Sequence, residues 1–99
     1  MLNINKEMEN GKAVFALEGR LDMNTAPKLE EELLGSLDGV HELTLDFEQL
    51  LYISSAGLRV LLTVQESMGE QGKMKLIHVN EFIMSILDMT GIANIIPVE

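Results

Sequence analysis

Residues 43–62, LTLDFEQLLYISSAGLRVLL, change character three times in a short span. Leu43, Leu45 and Phe47 alternate with Thr44 and Asp46, the period-two pattern of a strand with one buried face, and the strand is expected over Val40 to Phe47. Leu50, Leu51, Tyr52 and Ile53 make the next stretch too apolar for a solvated loop and too irregular for a strand. Glu48 to Ile53 is therefore expected as a connector tucked against the core. Ser54 and Ser55 then open a run in which Val60, Leu61, Val64 and Met68 recur at three and four residues, with Arg59, Thr63, Glu66 and Glu70 on the wet side. This predicts a helix from about Ser55 to Gln71, closed by Gly72 at the left-handed C′ position.

The same periodicities extend outward from this stretch. On the N-terminal side, Leu2 to Glu9 and Lys12 to Glu18 read as strands joined by Asn10-Gly11, a tight-turn pair in which both residues tolerate positive φ. The lysine that interrupts the first strand suits a sheet edge. Gly19-Arg20-Leu21-Asp22 is expected to break the second strand, and Asn24 or Thr25 to cap a helix with Pro27 in its first turn and a stripe of Leu29, Leu33, Leu34 and Leu37. C-terminally, Lys73 to Val79 reads as a strand, Asn80 as the cap of a helix from Glu81 to about Thr90, and Ile92 to Val98 as a last strand whose Pro97 sits at an edge. The expected order is β-β-α-β-α-β-α-β. Such a chain is an α/β domain with a mixed sheet of about five strands, largely parallel, with helices packed on it. Its 99 residues suit one domain over 1–99.

Charge and composition narrow the functional classes. Sixteen acidic residues against seven basic ones give a net charge of −9, which repels phosphate backbones and anionic lipid. Nucleic acid is not an expected partner, and a basic patch on another protein is favoured. There is no cysteine, and neither a membrane span nor a basic, apolar leader is seen in the sequence. Direct membrane insertion is not expected and a cytoplasmic location is.

The chemistry that could centre on the serines divides into three readings. Ile53-Ser54-Ser55-Ala56-Gly57 matches the second half of a hydrolase nucleophile elbow, but Ile53 stands where that turn requires glycine. His41 and His78, both expected on strands, carry no local motif that would make either the base of a serine hydrolase. Glu30, Glu31 and Glu32 are consecutive and point around a helix, so no metal site is expected, and no phosphate loop or cofactor motif is present. What remains is a serine pair at a helix start, where unpaired N–H groups and the helix dipole favour an anion. The residues alone leave two readings open: a structural cap, or an acceptor for a phosphate that changes which partner can bind.

Ser54 to Leu62 following Leu43 to Phe47, together with Gly19-Arg20-Leu21-Asp22 and Leu87-Asp88-Met89-Thr90-Gly91, resembles the STAS domain, in particular the bacterial anti-sigma-factor antagonists. The resemblance covers nearly the whole chain and implies a STAS-like fold, here without the further helix that commonly follows the last strand. It implies a switch and not an enzyme. The unphosphorylated antagonist binds an anti-sigma factor that is also a serine kinase, ATP-dependent phosphorylation releases it, and a PP2C-type phosphatase restores it. Alignment on Gly57, Leu58 and Val60 puts the phosphoacceptor at Ser55, with Ser54 as second choice. Asp22, Ser54, Ala56, Gly57, Leu58 and Arg59 are the implied partner-binding residues. Two positions depart from the family pattern: Ser54 replaces an aspartate, and Ala56 a serine or threonine. A non-phosphorylated STAS scaffold in a membrane-associated transport complex is the alternative within the same fold.

Overall fold

The computed structural model describes residues 1–99. Asn10 and Gly11 adopt φ of 51° and 80°, so strands β1 (Leu2–Glu9) and β2 (Lys12–Leu21) fold back on each other antiparallel. After helix α1 (Ala26–Leu34), strand β3 (Glu42–Ile53) pairs parallel to β2. After α2 (Ser55–Met68), strand β4 (Lys73–Ile77) pairs parallel to β3. The sheet order is β1-β2-β3-β4, with the lysine-interrupted strand at an edge as expected. Helix α3 (Glu81–Thr90) and a 3-10 turn over Ile92–Asn94 complete the chain.

Alternation along the strands builds the core on one face of the sheet. Phe15 and Leu17 of β2, Leu43, Leu45 and Phe47 of β3, and Met74 and Leu76 of β4 join one buried cluster with Leu29 and Leu33 of α1, Leu61 and Val64 of α2, and Ile83 and Leu87 of α3. The intervening Lys12, Val14, Ala16 and Glu18 of β2, with Thr44 and Asp46 of β3, stay exposed or half-buried. No buried residue is polar or charged; the core is held by burial of apolar surface.

Five expectations are corrected. Glu48 to Ile53 is not a connector: it continues β3, and its alternation fails because the β2–β3 register shifts twice, after Ala16 and after Gly19. Each shift inserts an additional residue in β3, so Phe47, Leu50 and Ile53 are all buried while Leu51 is 72% exposed. For the same reason Gly19-Arg20-Leu21 does not break β2, which runs on to Leu21. Helix α1 stops at Leu34, where Gly35 N–H bonds back to Glu31 O; Leu37 is buried from the following turn and so mimics a helical stripe. Helix α2 ends at Met68 with Gly69 at φ 48°, while Gln71 leaves the helix to donate from Nε2 to Leu37 O (2.6 Å) and Val40 O (2.7 Å). The fifth strand is reduced to a single parallel bridge between Leu76 and Val98. Ile92 and Ile96 are buried, so the apolarity of that segment serves packing from a tight turn, and Pro97 has no N–H to extend a ladder.

Candidate functional site

Parallel pairing carries the register to the ends of β2 and β3, where Leu21 stands opposite Ile53. The loops that follow them, beginning at Asp22 and Ser54, therefore leave the same edge of the sheet side by side, at the C-terminal ends of the strands. Ser54 N–H donates to Leu21 O at 2.9 Å and ties the two loops together. Gly57 makes the approach close. A Cβ there would lie 2.7 Å from Leu21 Cγ and 2.9 Å from Ile53 Cγ1, so only glycine lets the first turn of α2 seat on the strand ends. Gly57 is buried and offers a partner no side chain.

The two serines differ sharply. Ser54 is the N-cap in extended backbone, and its carbonyl accepts the first intrahelical bond from Leu58 N–H at 3.0 Å. Its hydroxyl caps nothing: Oγ is buried and has no hydrogen-bond partner. Ser55 is the first helical residue and is exposed. The N–H groups of Ser55, Ala56 and Gly57 precede that first helical bond, and no acidic residue occupies the first turn. The α2 mouth thus presents an accessible hydroxyl in a locally positive field.

The neighbouring loop is built around Asp22. Its Oδ1 accepts from Asn24 N–H at 3.0 Å, Thr25 N–H at 3.2 Å and the Thr25 hydroxyl at 3.3 Å, while Thr25 Oγ1 accepts from Asp22 N–H at 2.9 Å. Partial burial pushes this carboxyl up, but the two backbone N–H bonds and the Thr25 bond outweigh it and hold Asp22 below its ordinary value. Arg20 adds a loose ion pair to Oδ2 at 3.9 Å and lies over the Tyr52 ring at 4.3 Å, linking the same two strand ends. Thr25, expected as the cap of α1, makes no side-chain cap to that helix and serves this turn instead.

Beside the serines, Met23, Ala26, Pro27, Glu30 and Glu31 face Ala56, Arg59 and Val60 across an open groove of about 540 Å³ between α1 and α2. Of the residues singled out in the sequence, Asp22, Ser54, Ser55, Ala56 and Arg59 gather at this edge; Leu58 is half-buried against the core. Met23, 75% exposed, and the acidic pair Glu30 and Glu31 were not singled out, because their place on the rim depends on how α1 packs on α2.

Neither histidine lies on a strand. His41 precedes β3, and His78 follows β4 at φ 57°. His78 Nδ1 is 2.9 Å from Asp46 Oδ1 and 3.9 Å from Glu48 Oε1, so it is engaged by carboxylates and not by a serine. The hydrogen bond to Asp46 and the charge of Asp46 raise its pKa, burial opposes them, and the Glu48 charge adds a lesser push upward. Burial pushes Asp46 up, and the Glu48 N–H and His78 more than reverse this. No local pattern marks this trio, since His78 is 32 positions from Asp46 and β3–β4 pairing alone joins them.

A model of the STAS domain matches residues 3–99. The chain belongs to the STAS domain family. This STAS domain is 34% identical over 91 residues to BtrV of Bordetella bronchiseptica, covering 90% of this chain and 78% of BtrV. It is 30% identical over 102 aligned positions to the anti-sigma-B factor antagonist of Bacillus subtilis, covering 99% of this chain and 93% of that protein. Its fold is that of the crystal structure of an anti-sigma factor antagonist from Mycobacterium paratuberculosis, with a TM-score of 0.89 over 99% of this chain and 85% of that one, at 23% identity. No helix of this STAS domain is long and apolar enough to cross a membrane.

Proposed function

We propose that this single STAS domain is an anti-sigma-factor antagonist that works by partner switching in the cytoplasm, with Ser55 as its phosphoacceptor. The observation that carries the choice is the contrast between the exposed Ser55 at the first position of α2 and the buried Oγ of Ser54. The chain is the substrate of a serine kinase that is itself the anti-sigma factor, and it acts as a switch rather than a catalyst. In the unphosphorylated state, Asp22, Ala56, Arg59 and the rim of the α1–α2 groove meet the partner, and the acidic surface suits a basic one. A phosphate on Ser55 adds about −1.5 to −2 charge where the helix mouth stabilises it, so the fold is kept. Arg59, four residues on, stands on the same helical face and supplies a cation for it. The same phosphate, forced into a dry interface where Arg59 alone cannot satisfy its oxygens, costs more than the ~2.8 kcal/mol that weakens a complex a hundredfold. A PP2C-type phosphatase then resets the switch.

Incubation with the cognate kinase and ATP, followed by peptide mass spectrometry, is expected to place one phosphate on Ser55, with none in Ser55→Ala and full incorporation in Ser54→Ala. Incorporation that survives Ser55→Ala refutes the assignment. A scaffold role in a transport complex would leave function intact in Ser55→Ala.

A further inference from the structure

We propose that Asp46, Glu48 and His78 form a binding site for a divalent transition-metal cation of the zinc class. The three residues offer one ligand atom each, and these atoms all lie within 4.8 Å of one another. Imidazole nitrogen with two carboxylate oxygens is a donor set suited to zinc, copper or nickel, and it is unlike the all-oxygen shell preferred by magnesium and calcium. Bonds of about 2.0–2.2 Å in a tetrahedral site put neighbouring ligand atoms about 3.3–3.6 Å apart. The observed separations from His78 Nδ1, 2.9 Å to Asp46 and 3.9 Å to Glu48, bracket that range. His78 and Glu48 are more than half exposed, so a few tenths of an ångström of adjustment meets no packed neighbour.

Charge points the same way. The protein's lysine and arginine ion pairs go to Glu42, Asp22 and Glu99, and neither Asp46 nor Glu48 has one. Their sole counter-charge is a histidine that is charged only when protonated. Glu18 lines a hollow of about 160 Å³ with Asp46 and Glu48 and deepens the negative field. Asp46 Oδ1 is oriented by Glu48 N–H at 3.0 Å, the kind of outer hydrogen bond that fixes a metal-binding carboxylate. A bound cation takes the place of the proton on Nδ1, which passes to Nε2 or to solvent, and water completes the coordination. The site clamps β3 to the turn that leads into the Asn80 cap of α3.

The test uses tag-free protein stripped of metal, titrated with Zn2+ and followed by calorimetry and by the ring resonances of the two histidines. One Zn2+ per chain is expected, with the His78 ring shifting and the His41 ring, outside the cluster, unmoved. Glu48→Gln, which spares the Asp46–His78 contact, should weaken Zn2+ by about tenfold or more, since loss of a direct ligand is at least as costly as loss of an outer hydrogen bond. His78→Asn, which tolerates the left-handed backbone, should weaken it at least as much. Mg2+ should leave the His78 ring in place. An unmoved His78 ring, unchanged affinity in Glu48→Gln, or an equal response to Mg2+ each overturns the proposal.

Discussion

Two helix mouths in this protein are made in opposite ways. At the start of α3, Asn80 Oδ1 accepts from Ile83 N–H at 2.8 Å, Glu81 places a negative charge in the first turn, and Asn80 Nδ2 reaches Leu50 O at 3.3 Å. That mouth is closed by its own side chains. At the start of α2, the N-cap hydroxyl of Ser54 is turned away and buried, no acid follows, and an exposed serine stands first in the helix. Closing a mouth adds stability, and leaving one open keeps its positive end available to an incoming anion.

The largest expected effect tests the open mouth. Ser55→Asp should lower affinity for the anti-sigma partner about a hundredfold, ~2.8 kcal/mol by calorimetry, while the melting temperature stays level or rises. A loss of stability together with binding would erase the distinction between the two mouths. Next, Gly57→Ala should destabilise by about 1–3 kcal/mol in urea, because its methyl overpacks Leu21 and Ile53, even though alanine is by about 1 kcal/mol the better helix former. A neutral result would show that α2 is free to lift from the strand ends.

A matched pair then measures the caps themselves. Asn80→Ala should cost about 1 kcal/mol, and Ser54→Ala should stay within about 0.5 kcal/mol of the parent, since no hydrogen bond is lost. Equal losses at both would mean that Ser54 caps α2 in solution. The smallest effect is a pH dependence. Asp22 is held below its ordinary value, near 3.8, so its contribution to stability is complete above that value and is lost as pH falls through the lower native one. Asp22→Asn should therefore flatten the acid limb of melting temperature against pH below about 4 and leave the limb above it unchanged.

Sequence reasoning reached the closed mouth and half of the open one. Asn80, Gly91 and the Asn10-Gly11 turn were readable because each acts within a few residues of itself: a side-chain cap, or φ of 81°, 51° and 80°. The serine pair was readable as a helix start for the same reason. Which serine turns inward was not, since that depends on how tightly Gly57 lets α2 approach Leu21 and Ile53. Asp22 entered the site through family resemblance; its grip on Asn24 and Thr25 needed the loop to be seen. The Asp46–Glu48–His78 trio lies across β3 and the turn after β4, beyond the reach of any local pattern. The final strand failed because apolar composition reports burial and is silent on whether a backbone extends a ladder.

The two extra residues that β3 holds between Asp46 and Ile53 act as an aiming device. Removing one residue from Glu48–Gln49 and one from Leu51–Tyr52 would leave plain alternation, with Phe47, Leu50 and Ile53 still facing the core. Leu21 would still stand opposite Ile53, five steps from the Ala16–Asp46 pair on each strand, but the bend and added twist that bulges give a strand would be gone. Ser55 would then leave the sheet level with the Asp22 loop but in another direction, and a kinase would meet its target at a changed angle.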